Sequence, residues 1–126
     1  MSNWRVDNIS DRAGTGSPNI VGGELCRARS NLNGTGTIAP RDDFNVASYV
    51  DNGVGDYTFN FSTAFPNANY AYNIGAGDAS ISDPYVARRQ ASPLTTTAIR
   101  ALGQSASAGT LVDISEACLQ IVGDRP

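Results

Sequence analysis

Tyr57-Thr58-Phe59-Asn60-Phe61-Ser62 is the stretch on which the fold turns. Its apolar and polar residues alternate strictly, so a pleated strand places Tyr57, Phe59 and Phe61 on one face and Thr58, Asn60 and Ser62 on the other. One face is then core, and the other is wet or meets a polar partner surface. Upstream, Asp51-Asn52-Gly53-Val54-Gly55-Asp56 reads as a turn, because Asn-Gly accepts positive φ. Before that turn, Phe44 to Val50 alternates again, which predicts a strand with Phe44, Val46 and Val50 on one face. Downstream, Phe65-Pro66-Asn67-Ala68-Asn69 makes a corner, and Tyr70, Tyr72 and Ile74 resume the period of two. The strands on either side of that corner are expected to form the heart of the domain.

The same reading extends to both ends. Glu24 to Leu32 predicts a first strand with Cys26, Ala28 and Ser30 on one face, and Asn33-Gly34 after it predicts a type I′ hairpin. Pro40 cannot donate to a ladder, so the second strand is short or lies at an edge. Gly75 to Pro84 reads as a loop and Tyr85 to Ala91 as a strand. The threonine-rich Leu94–Leu102 favours strand over helix. Gly103 to Gly109 reads as a small-residue loop, and short strands close the chain between Leu111 and Val122. Seven or eight short strands at turn spacings of roughly 8–12 residues predict an all-β fold, an antiparallel β-sandwich of jelly-roll-like form. Residues 1–23, rich in turn formers and without alternation, read as an irregular N-terminal arm before a sandwich domain of residues 24–126. In that arm only Trp4, Val6 and Ile9 look able to anchor anything.

Composition narrows the chemistry. The 126 residues suit one domain, with 17% charged residues, 40% hydrophobic residues and a formal net charge of −3. All nine basic residues are arginine, and histidine and lysine are absent. Ser-His-Asp and Cys-His dyads, His-ligated metals, Schiff-base lysines and P-loop lysines are therefore excluded. The acidic balance lacks the field that nonspecific nucleic-acid binding needs. No stretch approaches the roughly 20 apolar residues of a membrane-spanning helix. The opening residues lack the apolar core of a secretory signal, so the expectation is folding in a cytoplasm. Cys26 and Cys118 then read as reduced, buried thiols, although they could pair if their strands are neighbours.

Several side-chain groups invite a functional reading beside a plainer one. Asp42 with Asp43, or Asp51 with Asp56, could be written as an acid/base pair for glycoside cleavage, yet aspartates flanking glycine are far more often turn formers. Asp51-Asn52-Gly53 resembles a fragment of a calcium loop but lacks the remaining ligands, so no metal and no cofactor is expected. Tyr49, Tyr57, Tyr70, Tyr72 and Tyr85 could stack on sugars with Trp4, while Tyr57, Tyr70 and Tyr72 fit the core better. Arg88, Arg89 and Arg100, with Tyr85 nearby in sequence, are candidates for contact with a host surface or a neighbouring subunit; a solvated strand face is the plainer reading.

The segment Cys26–Ile38, then Arg41, Phe44–Ser48, Asn52–Phe61 and Pro66–Tyr70, taken in order, resembles a recurring module of tailed-bacteriophage fibre, spike and other virion appendage proteins. The closing Ile121-Val122-Gly123 and the lead-in Asn8–Pro18 are similar to the same module, whereas Arg29 and Ser30 stand where bulky residues are usual. The resemblance implies a non-enzymatic virion structural protein, β-rich and homotrimeric, made in the host cytoplasm and carried on the virion exterior. On that reading the chain is a short fibre or spike-like appendage contributing to host-surface binding, through a glycan or a protein. The arm with Trp4, Val6 and Ile9 would dock it to another virion protein of capsid, portal or tail. The alternative is a capsid decoration (cement) protein that binds and stabilises the head shell.

Overall fold

Eight strands, all paired antiparallel, make two four-stranded sheets among the described residues. The computed structural model describes residues 25–77, 85–89 and 93–124, the middle stretch by its backbone alone. The strands are β1 (Cys26–Asn33), β2 (Ala39–Phe44), β3 (Val46–Gly53), β4 (Asp56–Phe61), β5 (Ala71–Gly77), β6 (Tyr85–Arg89), β7 (Ala98–Ser105) and β8 (Glu116–Val122). One sheet has the order β2-β1-β8-β5 and the other β3-β4-β7-β6. The expected antiparallel β-sandwich is what forms. The proposed arm of residues 1–23, with Trp4, Val6 and Ile9, lies outside the described residues.

The alternation around Phe59 works as its period dictates. Tyr57, Phe59 and Phe61 are buried, and Ile99 and Ala101 of the neighbouring β7 join them. Ala28, Leu32, Ala117, Leu119 and Ile121 supply the facing layer from β1 and β8. Each fully buried large side chain contributes about 1.5–3 kcal/mol of transfer free energy. At one end Phe61, Phe65 and Tyr70 form an aromatic corner, with Phe61 edge-on to both at 5.0 and 6.0 Å.

Several local readings are corrected. The β1–β2 hairpin forms, but not as a two-residue type I′ turn: within residues 33–38 the positive φ falls on Gly36, at 64°. Asn33 instead shapes the loop through its side chain, whose Oδ1 accepts from the Thr35 hydroxyl at 2.9 Å. The β3–β4 turn likewise sits beyond Asn52-Gly53, with Gly53 paired to Asp56 and Gly55 carrying φ 63°. In β3 a bulge between Val46 and Ser48 shifts the parity of the strand. Val46 and Tyr49 therefore turn toward the core, while Phe44 and Val50 are 53% and 45% exposed. The chain crosses between the sheets at Asn45, a non-glycine residue at φ 57°.

The strand after Phe65 also differs from its reading, here without any bulge, since its register with β8 is unbroken. It runs as β5 at the edge of its sheet rather than at the heart of the domain, and Tyr72 is 39% exposed although Tyr70 is buried. The threonine run does not open β7. The Thr95 hydroxyl accepts from Ala98 N at 3.1 Å and donates to Ala98 O at 2.9 Å, a local bond that competes with the ladder. At its other end β7 runs through Gly103 to Ser105. Pro40 lies in β2, an edge strand of the described sheet, as its missing donor requires. Cys26 and Cys118 are free and half-buried. Their strands are neighbours, but Cys26 pairs with Val122 and Cys118 with Asn31, a longitudinal offset beyond the roughly 7 Å disulfide limit.

Candidate functional site

The outward face of the β3-β4-β7 region is assembled from the polar half of the alternation. Register places Ser48 opposite Asn60, Val50 opposite Thr58, and Thr58 opposite Arg100. Asp56 lies one step along β4, opposite Leu102. Arg100 Nε and an Nη donate to the two Asp56 oxygens at 2.7 and 2.6 Å, a bidentate clamp across β4 and β7. That hydrogen bond, together with the carboxylate charge, raises the Arg100 pKa against the opposing effect of desolvation. Asn52 Nδ2 lies 3.3 Å from Asp56 Oδ1 and 2.9 Å from Thr58 Oγ1, and Asn60 donates to Ser48 Oγ at 3.1 Å. This polar surface has much of its hydrogen bonding satisfied within the chain. Beside it, Leu94 and Ile99 with Thr58, Thr95 and Arg100 line a hollow of about 160 Å³.

The other outward face carries a shallow trough of about 300 Å³ over β1, β8 and β5. Arg29, Gln120 and Asn73 stand in one cross-strand row, and Cys118 lies opposite Gly75 in a neighbouring row. The floor is low where Gly75 carries no side chain; a Cβ there would fill it at ordinary contact distance, 3.5 Å from Cys118 Cβ. Arg29 is ion-paired with Asp42 of β2, whose carboxyl that hydrogen bond holds below its ordinary range. The rim thus offers amide and guanidinium groups suited to hydrogen-bonding a polar ligand.

Between the sheets at the β2–β3 side, Tyr49 hydroxyl is 2.9 Å from Ser30 Oγ and donates to Asp43 Oδ2 at 3.0 Å. Burial pushes this phenol up to about 12. At the turn end of the sandwich, Tyr57 hydroxyl donates to Gly34 O at 2.8 Å and accepts from Ile114 N at 3.2 Å. Asp113 Oδ1 lies 3.3 Å from that hydroxyl and accepts from Gly55 N at 2.7 Å.

Each carboxylate considered for acid/base work has a structural partner: Asp42 has Arg29, Asp43 has Tyr49, Asp51 has the Gly53 N–H, and Asp56 has Arg100. Among the described residues no group of three or more metal-binding side chains converges. Of the arginines expected at a contact surface, Arg100 is engaged by Asp56 of its own chain. Tyr85, Arg88 and Arg89 lie on β6, with Arg88 opposite Leu102 and Arg89 opposite Ala101, and their side chains are outside the described residues. Tyr57 and Tyr70 are core residues rather than a stacking platform. Sequence reading missed Asp113 and the pairing of Asp56 with Arg100; the Asp56 partner lies 44 positions away and only register reveals it.

No protein-family model matches the chain, and comparison with curated proteins and with solved structures gives no match either.

Proposed function

We propose that the chain is a non-enzymatic virion structural protein, a short trimeric fibre or spike-like appendage that contributes to host-surface binding. The observation that carries this reading is the β2–β3 side of the sandwich. Among the described residues both strands end their sheets, so each leaves a row of backbone groups without a ladder partner. Phe44, Val50 and Val54 are exposed along the same run of chain, at 53%, 45% and 61%. Neighbouring copies would cover those edges and side chains, which a monomer leaves to solvent. The trough of mixed lining, with Arg29, Asn73 and Gln120 beside Cys118 and Leu119, supports a binding role, because a few placed donors and acceptors against an apolar floor suit a host glycan.

Light scattering of the full chain tests the assembly: a trimer is expected at micromolar concentration, and a stable monomer there contradicts it. A particle map tests the location. Copies projecting from the virion fit an appendage, whereas copies lying flat across capsomer junctions would make the protein a decoration protein instead.

A further inference from the structure

Two Asn-Gly pairs of identical local chemistry stand in opposite environments. Asn33-Gly34 is locked: Gly34 is buried, its N–H donates to the peptide oxygen of Ile114 at 3.0 Å, and its carbonyl accepts from Tyr57. Asn52-Gly53 is exposed, Gly53 has φ 128°, and a Cβ there would meet nothing within 4 Å. The Gly53 N–H donates to a carboxylate oxygen, Asp51 Oδ1, at 2.9 Å.

We propose that Asp51-Asn52-Gly53 is a self-modifying site at which Asn52 converts to aspartate and isoaspartate. The nucleophile is the Gly53 backbone nitrogen, and Asp51 takes its proton as general base. A bond forms from Gly53 N to Asn52 Cγ, the Cγ–Nδ2 bond breaks, and ammonia leaves with the transferred proton. Water then opens the resulting cyclic imide at either carbonyl, leaving a carboxylate on the side chain or in an isoaspartyl backbone. No electrons change hands, and solvent water is the co-reactant. The Ile114 peptide oxygen facing Gly34 N–H has no such basicity, so the same step is withheld from Asn33. The product matters to its surroundings because Asn52 Nδ2 lies 3.3 Å from Asp56 Oδ1. A carboxylate in its place sets two anions side by side and competes for the Arg100 clamp.

The test is incubation of the purified full chain at mildly alkaline pH, followed by peptide mapping of the gain of about one mass unit at each asparagine. The folded protein is expected to convert Asn52 faster than Asn33 by about tenfold or more, and the denatured chain to convert both alike. Equal rates in the folded protein, or an inert Asn52, would overturn the proposal. The variant Asp51→Asn keeps a side-chain acceptor but not a base. It is expected to slow conversion of Asn52 severalfold, and an unchanged rate would remove Asp51 from the step.

Discussion

The ring of Tyr57 occupies the space a side chain would need at Gly34: a Cβ on that glycine would lie 2.5 Å from both Cζ and the hydroxyl oxygen. The backbone oxygen of Ile114 would be 2.7 Å away, so the crowding cannot be relieved by moving one flexible group. Gly34 is therefore fixed by a close approach between β4 and the β1–β2 loop, not by the turn it was expected to form.

Gly34→Ala should accordingly destabilise the protein by about 1–3 kcal/mol or more through overpacking. Tyr57→Phe should cost about 1–3 kcal/mol by leaving Gly34 O and Ile114 N without their partner. Denaturant midpoints at constant slope check both, and a neutral Gly34→Ala would contradict the close approach.

The Arg100–Asp56 clamp should couple more strongly than the Arg29–Asp42 pair. Asp56 is only 12% exposed at its side chain, against 62% for Asp42, so solvent screens it less. Double-mutant cycles with Arg100→Met and Asp56→Asn, and with Arg29→Met and Asp42→Asn, should rank the couplings in that order. Arg100→Lys should retain only part of the effect, because an ammonium cannot reproduce the bidentate fork. Equal couplings would mean that burial of Asp56 contributes nothing.

The alternation from Tyr57 to Ser62 was legible because a period of two maps directly onto two faces of one strand. The neighbouring strand was not legible in the same way. Phe44, Val46 and Val50 share a parity, but one bulged residue after Val46 sends Tyr49 inward and Val50 outward, and no local composition announces it. Gly34 shows the other limit. Its glycine is demanded by a ring 23 positions away, a constraint that turn chemistry alone mimics but does not contain. The arginines were visible as candidate contacts, yet only cross-strand register reveals that Arg100 reaches Asp56.

Alkaline pH should weaken the fold across the interval between the ordinary tyrosine range and the raised one. Burial raises the phenols of Tyr49 and Tyr57 from 10.0 to about 12. The folded state then holds protons that the unfolded chain has released, so this stabilisation is fully present below about pH 10 and is lost as pH rises through about 12. Stability measured against pH should fall across that window, and less steeply in Tyr57→Phe. On the acid side the sign reverses: the lowered Asp42 contributes above its unfolded value and is lost as pH falls through its folded one, so Asp42→Asn should flatten that limb.

Asn45 combines two roles that substitutions can separate. Its backbone takes φ 57° where β2 hands over to β3. Its side chain meanwhile accepts from Thr63 N at 2.8 Å and donates toward Arg27 O at 3.2 Å, fastening the corner to β1 and to the loop after β4. Asn45→Gly keeps the conformation and loses the fastening, whereas Asn45→Ala loses both. Left-handed backbone costs a residue with a Cβ about 1–2 kcal/mol. Asn45→Ala should therefore be the less stable variant by about 1 kcal/mol, after allowing for the greater unfolded-state entropy of glycine. If Asn45→Gly proves the less stable, the side-chain bonds and backbone entropy outweigh the strain, and the corner is held by fastening rather than by conformation.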